Sequence, residues 1–223
     1  MGCGTGRWAR WVSPKVKILN CIDPSKAIEI AKNNLSNFDN IVFHNTSVES
    51  SGLKNNSQDF GYSLGVLHHL PNTSNAIKSC VNLLKPGAPL LLYLYYAFDN
   101  RPLWFRILWK FSDLFRKIIS KFPSRLKHFI TDLIALVIYL PLARLSFVLE
   151  KLKVNISNIP LSFYRNHSFY TMRTDARDRF GTPLEKRFTK EEILRMMKSA
   201  GLKNIIFSSE IPYWCALGYK LNS

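Results

Sequence analysis

The chain has 223 residues and is 47% hydrophobic and 21% charged, which is ample for a buried core and excludes an intrinsically disordered protein. Its 31 lysines and arginines against 15 aspartates and glutamates give a formal net charge of +16, an attraction to polyanions that says nothing about fold. Cys3, Cys21, Cys80 and Cys215 form no C-x-x-C pair, which argues against structural zinc and a disulfide framework, and no charged-then-apolar leader is visible; the expectation is a reducing, cytoplasmic setting.

The first element is the loop Gly2-Cys3-Gly4-Thr5-Gly6. Glycines at alternate positions let a backbone turn sharply and approach a ligand, because no Cβ blocks it and positive φ costs little. Its spacing differs from G-x-G-x-x-G, so taken alone it is a weak nucleotide signal and most such runs are plain turns. Arg7 to Val12 reads as a short helix and Val16–Ile22 as a strand that ends at Asp23. A carboxylate there can take both hydroxyls of a ribose, and it can equally cap a helix that starts with Pro24. Helix Ser25–Asn34, strand Asn40–His44, a polar loop, strand Asp59–Leu64, helix Asn75–Leu84, a stop at Lys85-Pro86-Gly87 and the apolar strand Pro89–Tyr96 follow. Apolar strands separated by amphipathic helices predict a parallel sheet covered on both faces, an α/β doubly wound fold with its ligand at the carboxyl ends of the strands.

The middle segment carries half of the net charge. From Arg101 to Lys153 there are 11 basic and 3 acidic residues, a net +8. Trp104, Phe105, Leu108, Trp109, Phe111, Leu114, Phe115, Ile118 and Ile119 recur at helical spacing between Arg106, Lys110, Arg116, Lys117 and Lys121. A basic helix with an aromatic face suits a membrane surface or a partner. Phe129–Ala143 is apolar apart from Thr131 and Asp132, and is read as broken by Pro141 and too short to span a bilayer. Three readings stand for the segment: cap helices packed on the main domain or on a second subunit, which leads, then anionic lipid, then nucleic acid, which lacks a stacking platform or an RNA motif. At the carboxyl end, Phe188-Thr189-Lys190-Glu191-Glu192 opens a helix that runs to Ala200-Gly201-Leu202, followed by strands Asn204–Ser209 and Trp214–Leu221.

Four motifs in order carry a family resemblance: Gly2 to Gly6, Ile22-Asp23-Pro24-Ser25, Gln58 to Pro71 with Leu64-Gly65-Val66-Leu67-His68-His69-Leu70-Pro71 at its end, and Leu83-Leu84-Lys85-Pro86-Gly87. Together they resemble the class I S-adenosylmethionine-dependent methyltransferases. The resemblance implies a Rossmann-like sheet, mostly parallel, that a C-terminal antiparallel hairpin completes to seven strands, with a helical insertion after the fifth strand. It implies residues 1–97 as the cofactor-binding part, 98–160 as the cap, and 161–223 as a substrate-side loop with the closing helix and hairpin. Gly2, Cys3, Gly4, Thr5 and Gly6 would border the methionine part of the cofactor, Asp23 the ribose, and Ile22 and Pro24 the adenine. Many relatives use an aspartate for the adenine amino group; here Ser47, with the neighbouring Val48, stands in that stretch. Leu64, Gly65 and Val66 would line the floor near the sulfonium. Relatives also place a strand immediately before the glycine loop, in the middle of the sheet. Only Met1 precedes Gly2 here, so the expectation is a truncated product or misplaced start, poorly stable and weak in cofactor binding.

His68 and His69 are adjacent, so they do not face one metal together, and no metal site is expected. The resemblance sets them beside the transferred methyl. His68 is then the candidate general base and His69 a candidate substrate contact, with structural packing the commoner role for at least one of the two. Tyr164, Arg165, His167, Tyr170 and Arg179 are further substrate-side candidates in a stretch rich in polar and aromatic groups, where mutual ion pairs among Asp175, Arg177, Asp178 and Arg179 explain the composition equally well. The expected activity is methyl transfer from S-adenosylmethionine to an oxygen or nitrogen of a small or lipid-linked acceptor. The rivals are a peripheral membrane methyltransferase at the inner face of the membrane and a non-catalytic cofactor-binding scaffold.

Overall fold

In the computed structural model, residues 1–210 and 213–222 are described, and they divide into two compact units: residues 1–96 with 186–223, and residues 97–185. Residues 161–185, expected with the closing helix and hairpin, therefore fold with the middle segment.

The first unit holds two sheets among the described residues. Strands β1 (Leu19–Ile22) and β2 (Ile41–His44) pair in parallel, Leu19 opposite Ile41 and Ile22 opposite His44. Strands β3 (Gly61–Leu64), β4 (Pro89–Tyr93), β5 (Leu202–Phe207) and β6 (Cys215–Lys220) form the second sheet in the order β3-β4-β6-β5. There β3 and β4 are parallel, and β6 runs antiparallel to both β4 and β5. The mostly parallel character and the closing antiparallel hairpin agree with expectation. Among the described residues there are six strands, in two sheets, and none lies between β1 and β3, as the expected lack of a strand before the glycine loop implies. What joins the two edges is the start of the chain. The Met1 amino group donates to the Tyr62 carbonyl at 3.0 Å, and the Gly2 and Cys3 amides donate to the Ile22 carbonyl at 2.7 and 3.2 Å. Burial lowers the pKa of that amino group.

Helix periodicity decides the packing. Helix α3 (Thr73–Leu83) buries Ile77, Cys80 and Val81 on one side, and helix α8 (Lys190–Ser199) buries Ile193 and Met197. These meet Leu90, Leu92 and Ala216 of the second sheet, and Leu94 just beyond β4, in one core. A smaller core gathers Ala9 of helix α1 (Ala9–Val12), Leu19 and Cys21 of β1, and Ala31 of helix α2 (Ala27–Asn34) with Leu35. The start of α8 follows from sequence: the Thr189 hydroxyl accepts from the Glu192 amide while the Glu192 carboxylate accepts from the Thr189 amide, a reciprocal cap.

The second unit is helical. It contains α4 (Leu103–Ile119), α5 (Ser124–Ile134), a π segment (Ala135–Tyr139), α6 (Leu140–Lys151) and α7 (Phe169–Gly181). Pro141 does not break the apolar stretch as expected. Residues Ser124–Lys151 form one helix of 28 residues, in which the π segment Ala135–Tyr139 precedes Pro141 and the proline falls in the first turn of α6, where it is tolerated. By length and composition alone this helix could cross a membrane, which overturns the reading that it is too short. Its inner side packs on α7 through Ala135, Tyr139, Ala143, Met172, Ala176 and Phe180. The stretch expected as a substrate loop is a 3-10 turn at Ser162–Asn166 followed by α7.

Candidate cofactor site

The glycine loop lies over the end of β1 and is held by the residue that follows it. The Gly4 amide donates to Asp23 Oδ2 at 2.7 Å, while the Ser25 amide and hydroxyl donate to Asp23 Oδ1 at 2.9 and 2.6 Å. Gly2, Gly4 and Gly6 all have positive φ. Two of these positions need glycine for different reasons. A Cβ on Gly2 would lie 2.5 Å from Val66 Cγ1, so the loop touches the end of β3; a Cβ on Gly4 would meet nothing within 4 Å, so this turn faces open space. The Gly2, Cys3, Gly4 and Gly6 amides are thus engaged within the chain, and the turn leaves open space beside a carboxylate at the adjoining strand end.

The other expected cofactor residues take these places. Ile22 and Pro24 flank Asp23, and the Asn45 amide, oriented with its nitrogen inward, donates to the carbonyls of Asp23 and Pro24 at 3.3 Å. That anchor was missed in the sequence because asparagine there reads only as loop. Ser47 hydrogen-bonds Glu49, whose pKa is lowered chiefly by its own backbone amide, and Val48 packs against the main core. Leu64 ends β3, and the Gly65 amide donates to the Tyr93 carbonyl at 3.0 Å. Cys3 and Cys21 lie within hydrogen-bonding reach, and this contact lowers the Cys3 pKa while raising that of Cys21. Thr5, with Gly6, Arg7, Arg10 and Asn34, lines a cleft of about 400 Å³ that Asp23 does not border.

His68 is fully buried and stacks on Tyr95 with ring centroids 3.8 Å apart; neither ring nitrogen has a hydrogen-bond partner. Burial, with smaller effects from His69 and Arg187, lowers its pKa to about 3. The general base expected at this position is therefore an uncharged, very weakly basic ring at neutral pH, and the geometry gives it the packing role. His69 stands edge-on to Tyr95 at 5.9 Å, Arg187 lies over the Tyr95 ring at 5.1 Å, and Tyr93 tilts against Tyr95. Sequence reading missed this aromatic and cationic cluster beyond β4, because Tyr93, Tyr95 and Tyr96 sit in a run that reads as an ordinary apolar strand.

The remaining substrate-side candidates all lie in the helical unit. Tyr164 packs against Tyr139 at 5.4 Å and His167 against Phe163 at 4.7 Å. Arg165 pairs with Glu150 at 2.7 Å, and Tyr170 is exposed beneath Arg173. Arg179 donates to Ser112 Oγ at 2.9 Å; burial opposes its charge, but Tyr139, Glu185 and Asp175 around it raise its pKa. Of the charged residues there, Arg177 pairs across helices with Asp132 at 2.6 Å, and Asp175 lies close enough to Arg179 to raise its pKa. No group of three or more potential metal ligands occurs among the described residues.

Residues 1–92 match the family model described as a methyltransferase domain. No curated protein matches. Among solved structures, the chain is similar to a putative methyltransferase from Bacillus halodurans, with 13% identity, a TM-score of 0.54, and coverage of 93% of this chain and 63% of that one. It is also similar to a SAM-dependent methyltransferase from Methanosarcina mazei, with 14% identity, a TM-score of 0.55, and coverage of 100% and 91%. A third is the putative methyltransferase in a complex with the Haloferax volcanii Trm112 methyltransferase activator, at 12% identity, a TM-score of 0.52, and coverage of 99% and 80%. These likenesses concern the fold, and the chain spans under two thirds of the Bacillus protein's length. Residues 1–92 thus match a methyltransferase-domain model, and the chain as a whole shares its fold with solved proteins described as methyltransferases.

Proposed function

We propose that this chain binds S-adenosylmethionine through Gly2–Gly6 and Asp23 and transfers its methyl group to an oxygen or nitrogen of a small or lipid-linked acceptor on the cytoplasmic side. The observation that carries the reading is the Gly4-to-Asp23 hydrogen bond, which sets an open glycine turn and a carboxylate side by side at the end of β1. The cofactor's sulfonium supplies an already activated methyl, so the protein's work is to hold the acceptor in line and keep water out. Leu64, Gly65 and Val66 give that position an apolar floor. His69, Tyr95 and Arg187 are the polar and aromatic groups nearest the strand end, suited to orienting an acceptor. With His68 buried and neutral, the acceptor atom is one that attacks without a strong protein base, or whose proton leaves to solvent.

Titration of the full chain with S-adenosylhomocysteine tests the binding half; absence of heat from a folded sample would end the reading. Incubation of cell extracts with cofactor carrying a labelled methyl, followed by mass identification of the product, tests transfer. Binding without any labelled product would favour the second reading, a cofactor-binding scaffold, which the strand-free gap between β1 and β3 supports.

A further inference from the structure

The helical unit leaves its most hydrophobic faces in solvent. On α4, Leu103, Trp104, Ile107, Leu108, Phe111, Leu114, Phe115 and Ile118 are all exposed, with Phe111 at 61% and Phe115 at 59%. At about 100° per residue these positions fall within a single arc of about 140°. The helix is covered on the side away from the arc, where Arg116 is buried, and Ile119 is buried just past one border of the arc. Exposed Arg106, Lys110 and Lys117 run along one border of the apolar arc. The long helix Ser124–Lys151 repeats the arrangement. Leu126, Phe129, Leu133, Leu136, Val137, Leu145 and Val148 are exposed along it, and only 22% of its most apolar stretch is buried. No charged residue occurs between Asp132 and Arg144, whereas exposed Lys121 and Arg125 stand at one end and Lys151 and Lys153 at the other.

We infer that the outer faces of α4 and of the helix Ser124–Lys151 dock on a bilayer that carries anionic lipid, and lie in its surface without crossing it. The occupant follows from complementarity. An apolar stripe of this width would be an aggregation liability in water, and rims of arginine and lysine match phosphate headgroups at the depth where such a stripe enters the acyl boundary. Trp104, at the start of α4, has the amphipathic ring that prefers this boundary. The lie follows from α7. This helix packs on the inner side of the long one and carries Arg173, Asp175, Arg177, Asp178 and Arg179, with Arg177 bonded to Asp132 through two contacts of 2.7 and 2.6 Å. Crossing the bilayer would draw these five charged side chains into hydrocarbon, at a cost the apolar outer face does not offset. Lying flat puts the outer faces in lipid and keeps α7 on the wet side. The inference does not rest on methyl transfer and holds or fails without it.

The test is co-sedimentation of the full chain with vesicles of phosphatidylcholine, with and without phosphatidylglycerol, at low and high salt. Binding is expected with phosphatidylglycerol, to weaken at high salt, and to be released by alkaline carbonate. The double variant Phe111→Glu with Phe115→Glu, checked by circular dichroism, is expected to lose vesicle affinity by about tenfold or more, since it removes two insertable rings and adds repulsion. Ile206→Glu, an exposed apolar position on β5, is expected to bind as the unaltered chain does. A folded chain that stays in the supernatant with both vesicle types, or a double variant that binds equally well, overturns the proposal. Retention after carbonate overturns the in-plane lie, and a dimer that ignores vesicles and dissociates in the double variant assigns the face to a second copy of the chain. Titration with S-adenosylhomocysteine on the same samples separates these outcomes from failure of the cofactor reading.

Discussion

The Gly4 amide and the Asp23 carboxylate meet at 2.7 Å, so one side chain both shapes the glycine loop and stands at the position proposed for the ribose. Asp23→Ala removes acceptors for three donors at once, the Gly4 amide and the Ser25 amide and hydroxyl. Hydrogen bonds to a charged group contribute about 1.5–3 kcal/mol each, so the expected loss of S-adenosylhomocysteine affinity is about 10- to 100-fold. Asp23→Asn keeps one acceptor oxygen and is expected to lose less. Calorimetric titration decides the matter, and an unchanged affinity in the alanine variant would show that the ribose lies elsewhere.

Gly2 and Gly4 separate close approach from backbone strain. Both have positive φ, +70° and +52°, which costs a residue with a Cβ about 1–2 kcal/mol. Only at Gly2 would that Cβ also strike Val66, at 2.5 Å. Gly2→Ala is therefore expected to cost about 3 kcal/mol of stability, with overpacking added to strain, and Gly4→Ala about 1 kcal/mol. Urea denaturation of the two variants should rank them in that order; equal costs would mean that the loop does not press against the end of β3.

His68 sets a pH dependence whose sign is fixed by its burial. The folded pKa is about 3 against an ordinary 6.5, so below pH 6.5 the unfolded chain binds a proton that the folded chain refuses. Stability from this group is intact at neutral pH and falls as the pH drops from about 6.5 toward 3, by about 2 kcal/mol at pH 5. His68→Phe retains a ring to stack on Tyr95 and has nothing to protonate. Its loss of stability between pH 7 and pH 5 is expected to be smaller than that of the unaltered chain by about that amount. Parallel pH profiles for the two proteins would contradict the neutral, buried state.

Local signals in the sequence translated well into local structure. Thr189 and Glu192 cap α8 as their spacing requires, Asp23 ends its strand beside the glycine loop, and Lys85-Pro86-Gly87 stops α3. What periodicity does not carry is pairing between distant segments. Nothing in the alternation of β1 or β3 says which neighbour each edge will find, and the two strands fall in separate sheets. Pro141 misled because a proline reads as a break, whereas it follows a π segment whose Ala135 and Tyr139 pack on α7 and the helix runs on through it. His68 misled because an imidazole's chemistry depends on desolvation, and residue type alone does not reveal that Tyr95 covers it.

Arg116 supports the last prediction. It is a buried charged side chain, and its bonds to Thr182 and Pro183 tie α4 to the end of α7. Its Nε donates to Asp113 Oδ1 at 2.7 Å, and its Nη1 donates to the carbonyls of Thr182 and Pro183 at 2.9 and 3.1 Å. Arg116→Met fills the space but leaves two carbonyls without a donor and Asp113 with Lys117 alone, so about 3 kcal/mol of stability should be lost. Arg116→Lys restores the charge without the planar fork that serves three acceptors, and should recover less than half of that loss. Burial pushes the Asp113 pKa up, but Arg116 and Lys117 outweigh it and hold the carboxyl below its ordinary value. The pair's contribution is thus present above the ordinary carboxylate pKa and disappears as the pH falls through the lowered folded value. In Arg116→Met that acid-sensitive part should shrink. Urea denaturation at neutral pH and below pH 4 reads both effects, and a methionine variant as stable as the unaltered chain would show that α4 is not held through Arg116.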